Sequence, residues 1–251
     1  MTATVAGLYR YPVKGLPGEA LTRVRLAPGE IFPGDRRYAI AHGTSAWDPA
    51  EPRWRPKGDF VTLARVAALA GLQAVYDDRG RLEIRRSGKR VAGGDPDLPA
   101  DRAAVERFLS AFLADVANVP VRLAGAADRA LTDVPEPFVS IVNAESVRHL
   151  ERAARRPVDP ARFRANILLR GLPAWAEFDW IGYEITVGTV RLRIEERIER
   201  CAATGVNPES AQRDLNLVRI LSEGWGHMDM GVYATATGAG TVAVGDGAVR
   251  T

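Results

Sequence analysis

A chain of 251 residues with 46% hydrophobic and 26% charged side chains is long enough to bury a substantial core, as one large domain or two smaller ones. Its composition excludes a disordered or low-complexity protein. The formal net charge is +3 and acidic and basic residues alternate along the chain, so no nucleic-acid partner is expected. The longest apolar run, VAALAGL after Arg65, falls far short of the ~20 residues a membrane span needs, which excludes a spanning helix. The N-terminus lacks the charged start and long apolar centre of an export signal, and a cytoplasmic location is expected.

The first 90 residues hold short period-two segments separated by Gly and Pro: TVAGLYRYPV, LTRVRLA, RRYAIA, LQAVYDD and RLEIRR. They read as strands of an antiparallel sheet or barrel. From Asp101 the period changes. Val105, Phe108, Leu109, Phe112, Leu113 and Val116 recur at helical spacing, with Asp101 placed to cap the start. A second helix follows FVSIVN, with Asn143 as its cap, Val147 and Leu150 on one face and Pro157 as its stop. In YEITVGTVRLRI the apolar Tyr183, Ile185 and Val187 alternate with polar residues, as do Val190, Leu192 and Ile194, and Gly188-Thr189 suits a tight hairpin turn. GVYATA and TVAVGD close the chain as two further strands. The fold class expected is mainly β with inserted helices (α+β).

That hairpin ends shortly before Cys201, the chain's one cysteine, in RIEERIERCAATGVNPES. No internal disulfide is possible. A free cysteine is often a small, buried, inert residue. This one follows EERIER and precedes AATG rather than sitting in an alternating apolar pattern, which places it in a loop at a strand end. Arg197 and Arg200 favour the thiolate, while Glu195, Glu196 and Glu199 oppose it. Three chemistries use a single thiolate. A Cys-His pair needs a base, and His42, His149 and His227 are all distant in sequence. A zinc or iron-sulfur site built by the protein alone needs more ligands, and no CxxC or HxxxH spacing exists. A metal whose other ligands arrive with its cofactor needs one cysteine only.

DPARFRANILLRG, then AEFDWIGYEITVGTVRLRI, RCAATGVNP, and finally GVYA with GTVAVGD resemble the MOSC domain, named for the C-terminal domain of molybdenum cofactor sulfurase. YPVKG and GDRRYAI near the start resemble the N-terminal β-barrel-like module that precedes it in many members. Residues 42–60 fit the resemblance least well. It implies a MOSC-type β-barrel over 96–251 and a smaller N-terminal β module over 1–95. In members similar to the mitochondrial amidoxime reducing component, it implies that Cys201 ligates molybdenum held by a molybdopterin dithiolene, a soft ligand for the metal.

The same resemblance assigns Lys14, Arg36, Arg164 and Asn166 to cofactor binding, with Ser146 and Thr204 as further polar candidates. Lys14 is one of three lysines in an arginine-rich chain. Without the resemblance each has a plainer reading: Lys14 and Arg36 as surface charges, Asn166 as a strand-entry residue, Ser146 as a capping residue and Thr204 as a loop-folding hydroxyl. The chain departs from its relatives in having Gly15 where Lys-Ser is common, Ala165 within Arg-Pro-Asn, and Gly205 where a second threonine is common. The activity implied is an oxidoreductase that reduces N-oxygenated or similar small-molecule substrates. With no room after VGDGAVR for a ferredoxin module, a separate electron-donor protein is expected. The alternative is a sulfur carrier that holds a persulfide on Cys201 during cofactor maturation, with a pyridoxal-phosphate-dependent cysteine desulfurase as partner.

Overall fold

The computed structural model describes residues 3–48, 54–126 and 130–251, so residues 49–53 of the poorly matching 42–60 segment lie outside the described residues. The chain begins with strands β1 (Ala3–Arg10), β2 (Glu19–Leu21), β3 (Arg23–Leu26) and β4 (Tyr38–Ala41). A meander follows, β5 (Leu72–Tyr76), β6 (Leu82–Arg86) and β7 (Lys89–Gly94), and then helix α1 (Pro99–Phe112), β8 (Arg122–Gly125) and β9 (Val139–Asn143). Helix α2 (Ala144–Ala154) leads to β10 (Ile167–Arg170), β11 (Glu184–Val187) and β12 (Val190–Glu199). Helix α3 (Leu217–Trp225), β13 (Asp229–Gly238), β14 (Gly240–Ala243) and β15 (Gly247–Arg250) complete the described chain.

Seven strands close into a barrel in the order β10, β9, β13, β12, β11, β15, β1, with β1 pairing back onto β10. Period-two patterning drives the closure. Ile185 and Val187 on β11 and Val190, Leu192 and Ile194 on β12 point inward with no exposure, and their polar neighbours point out. A closed sheet leaves no edge along its staves. The β9–α2–β10 unit makes a parallel pair within this otherwise antiparallel barrel. A second core gathers Val13, Leu16, Ile40, Leu69, Ile84, Leu109 and Leu123 between α1, the β5–β6–β7 meander and the β4–β8 pair. β1, the first stave of the barrel, lies in the sequence ahead of this second core, so the chain's N-terminal segment threads both.

Several sequence expectations change. Asp101 does not cap α1: Leu98 holds the N-cap position, and Asp101 sits in the first turn, its Oδ2 accepting from Asp95 N–H. Pro99 near the helix start fixes the entry, since its missing N–H would have no partner there in any case. Asn143 caps α2 as expected, accepting from Glu145 N–H. The helix stops at Arg155 in a left-handed conformation (φ 52°), two residues before Pro157. The Gly188 turn forms (φ 58°), but Tyr183 lies outside β11 and is half exposed, with the Arg250 guanidinium 4.5 Å from its ring centroid. α3, β7, β8 and β15 were not expected from the sequence.

Candidate functional site

β12 runs to Glu199, so its end delivers Cys201 to the rim of the barrel, partly exposed, where it opens a short 3-10 turn over Ala202–Gly205. The thiol lines a cavity of about 520 Å³. Lys14, Arg36, Arg164, Asn166 and Thr204 line the same cavity, although they come from segments up to 190 residues apart in sequence. Two of the cations are presented by strained backbone. Arg36 (φ 44°) and Arg164 (φ 52°) both occupy the left-handed region, which costs a side-chain-bearing residue about 1–2 kcal/mol.

These two arginines share one platform. The Tyr11 ring carries the Arg36 guanidinium and the Arg164 guanidinium, each 4.5 Å from its centroid. Backbone contacts lock the assembly: Arg36 N–H donates to Tyr11 O, and Tyr11 N–H donates to the buried Asp35 carboxylate at 2.8 Å. Arg36 also pairs with Asp35 and donates through Nη2 to Arg164 O. Arg164 donates through Nη1 to Leu16 O, while its Nη2 is buried without a partner. Burial, and then repulsion from Arg36, pushes Arg164 down to about 10. An anion between these groups relieves both effects.

Arg200, next to the thiol, is pinned through Nε and Nη2 to Met230 O and through Nη1 to Phe163 O. Arg162, 4% exposed, bridges to Asp214 and Thr204 O and leaves Nε unpartnered. Seven cationic and four acidic side chains line the cavity, an excess of three positive charges. Such a surface suits an anionic ligand. Phe138 stacks on Tyr233 at 5.1 Å and gives the wall an aromatic face.

The expected residues differ in how much of their chemistry is free. Lys14 is held 2.6 Å from Asp133 and donates to Leu131 O; burial draws the lysine down, and Lys14 in turn holds Asp133 below the usual carboxylate range. Asn166 is spent on the barrel: its Oδ1 accepts from Ser140 N–H and Oγ–H, and its Nδ2 donates to Tyr9 O. Thr204 folds the loop, its hydroxyl donating to Cys201 O at 3.0 Å.

Ser146 requires a correction, because it does not line the cavity. It is fully buried near the start of α2, its hydroxyl donating to Glu177 and accepting from Trp175 N–H. Gly15 and Gly205 explain two departures from the family pattern. Gly15 has φ +89°, where a serine is strained, and a Cβ on Gly205 meets Leu215 O at 2.6 Å. Tyr11, Arg162, Phe138 and Tyr233 were missed; nothing in their local spacing marks them, since tertiary folding alone brings them to the thiol.

Among the described residues no group of three or more His, Cys, Asp and Glu side chains is placed to hold a metal. The three histidines stand apart: His42 bonds to Gly58 O and Thr44, and His149 and His227 pack with Trp175.

Residues 128–249 match the family model described as the MOSC domain, and residues 2–110 match the MOSC N-terminal beta barrel domain. Among solved structures, the YuaD protein from Bacillus subtilis is similar at 16% identity and TM-score 0.47, covering 99% of this chain and 94% of that one. YiiM from Geobacillus stearothermophilus is similar at 19% identity and TM-score 0.36, covering 45% of this chain and 53% of that one. YiiM from Escherichia coli is similar at 15% identity and TM-score 0.35, covering 51% and 58%. No helix among the described residues is long and apolar enough to cross a membrane.

Proposed function

Because the chain belongs to the MOSC domain family, with the family's N-terminal barrel module ahead of the MOSC domain, we propose that its basic cavity holds a molybdenum cofactor with Cys201 as the protein's ligand to the metal. The family's link to molybdenum-cofactor chemistry gives the class; the reading as an oxidoreductase acting on N-oxygenated small molecules is ours. The observation that carries it is the convergence of the lone thiol with Arg36, Arg162, Arg164 and Arg200 around one cavity, two of these arginines keeping a buried N–H without a partner.

The donor set fits the group. Arg164 Nη2 and Arg162 Nε supply donors that an anionic tail satisfies, and the Phe138–Tyr233 face suits a flat heterocycle. A volume of about 520 Å³ lies within the ordinary range of cofactor pockets. When bound, the cofactor supplies the redox-active metal and its dithiolene sulfurs. The chain's own residues position it. Cys201 fixes the metal end, and Arg200, immobilised by two carbonyls, sets a positive charge beside the thiolate. Arg36 and Arg164, braced on Tyr11, hold the anionic end, and Lys14 with Asp133 forms a paired wall.

Protein made in a host that synthesises the cofactor tests the reading by elemental analysis. Molybdenum stoichiometric with folded chain, lost in Cys201→Ala together with substrate turnover, is the expected result. Folded wild-type chain without molybdenum refutes it. A persulfide sulfur on the Cys201 peptide in metal-free protein replaces it with the sulfur-carrier reading.

A further inference from the structure

A second cavity, of about 830 Å³, is lined by Trp175, Phe178 and Trp180 together with Asp179, Arg197 and Arg250, and it shares Arg197 with the cavity at Cys201. Its aromatic wall is held in place by an unusual outlay of structure. Trp175 takes a left-handed backbone conformation (φ 70°), unfavourable for any residue with a side chain. Its N–H donates to Ser146 Oγ, Ser146 donates to Glu177, and Asn143 Nδ2 donates to both Glu177 and Pro173 O. Asn143, Ser146 and Glu177 are fully buried. Trp175 Nε1 donates to His149 Nδ1 at 2.8 Å, which fixes the indole at its polar edge, and the Phe178 ring lies 5.7 Å from it. A buried carboxyl network that the proposed function leaves unused thus immobilises this loop, while Trp175 and Phe178 stay only half-buried. A rigid, partly exposed aromatic surface beside a cavity is a preformed binding wall.

The charges select the ligand. The Arg197 guanidinium lies over Phe178 at 4.3 Å and that of Arg250 over Tyr183 at 4.5 Å, so both are oriented by rings while their N–H edges remain able to donate. Arg197 stands 3.7 Å from Asp229, too far for a hydrogen bond, and Arg250 pairs with no carboxylate among the described residues. Two arginines against Asp179 leave the lining with an excess of one positive charge, which matches a monoanion rather than a phosphate dianion. Arginine holds a carboxylate through two parallel N–H donors.

We infer that this cavity binds an aromatic carboxylate of one or two rings, its rings against the Trp175 and Phe178 wall and its carboxylate taken by Arg197 and Arg250. A cavity of this volume accommodates a ligand of that size. Its use as a substrate pocket, with Arg197 common to ligand and cofactor, rests on the proposed function; the binding itself does not.

The test titrates the metal-free chain calorimetrically with 2-naphthoate, the neutral 2-naphthylmethanol, the saturated decahydro-2-naphthoate and 2-naphthyl phosphate. Naphthoate is expected to bind at least about tenfold more tightly than the alcohol, because charge-assisted hydrogen bonds are lost with the carboxylate. It is expected to bind about threefold or more tightly than the saturated acid, because aromatic pairing is lost with the rings. Arg250→Gln and Arg197→Gln each remove most of the advantage over the alcohol. Arg250 is exposed and lies outside the thiol cavity, so its variant locates the ligand. Phe178→Leu weakens naphthoate and alcohol alike. Acid and alcohol binding equally, naphthoate undiminished in folded Arg250→Gln, or naphthoate displaced by inorganic phosphate overturns the inference. Tighter binding of naphthyl phosphate overturns the choice of a monoanion. Naphthoate binding by a chain that takes up no molybdenum in a cofactor-making host leaves this site standing and sinks the cofactor reading; molybdenum without naphthoate binding does the reverse.

Discussion

Asn166→Ala separates two roles for a residue that the sequence alone leaves divided between cofactor and strand. In the fold Asn166 is 1% exposed and staples three strands: Oδ1 accepts from Ser140 N–H at 3.0 Å and Oγ–H at 2.8 Å, and Nδ2 donates to Tyr9 O at 3.3 Å. Ser140 lies on β9, Tyr9 on β1, and Asn166 immediately precedes β10, so this one amide joins the staves where the barrel closes. Alanine removes three bonds and strands their partners in the interior. At about 1 kcal/mol each, the loss is about 3 kcal/mol. For a chain of this size about 2 °C accompanies each kcal/mol, which gives a melting temperature lower by about 6 °C. Phosphate affinity at the arginines stays within about twofold of wild type, since no donor used there is removed. Thermal denaturation paired with phosphate titration reads both quantities. A variant that keeps its melting temperature but loses phosphate or molybdenum refutes the structural role and returns Asn166 to the cofactor.

Arg164→Gly and Arg164→Ala both weaken phosphate binding by titration, yet the glycine variant melts about 2 °C higher, because φ 52° suits glycine and costs alanine about 1 kcal/mol. Equal melting temperatures contradict the strain. Glu177, buried with Ser146 and Asn143 as its hydrogen-bond donors, has its carboxyl raised above 4.5 by burial. The native state then binds the proton more tightly than the unfolded chain. Its stabilising contribution is complete below pH 4.5 and is lost as pH rises through the raised value. Urea midpoints across this range fall in wild type, and Glu177→Gln removes that part of the slope; identical slopes exclude Glu177 as its source.

Legibility in the sequence follows the range of the interaction. The β11–β12 hairpin was readable because alternation and a Gly-Thr turn are local, and Asn143 was readable as a cap for the same reason. α3 was not, since LVRILSEGW is short and follows loop-like sequence, and its burial against Val147 and Phe163 depends on partners some 60 residues away. Cys201 stood out by being alone. The Tyr11 platform did not, because an aromatic residue in YPVKG acquires meaning only when Arg36 and Arg164 arrive on its ring from positions far along the chain. Ser146 failed for the opposite reason: a hydroxyl at a helix start matched the family's pattern, while the buried Glu177 that claims it lies 31 residues on.

Where the fold leaves its own rules unmet is informative. Among the described residues five buried side-chain atoms lack a hydrogen-bond partner, and two of them are the donors Arg162 Nε and Arg164 Nη2. Arg36 and Arg164, two of the six non-glycine residues at positive φ among the described residues, meet on one tyrosine ring beside them. A barrel whose strands alternate through β11 and through β12 as far as Ile194 can supply the stability that such strain consumes. Random imperfection spreads over a surface. Here unsatisfied donors, left-handed arginines and an excess of positive charge coincide along one cavity, and that coincidence is accounted for if an anion belongs in it.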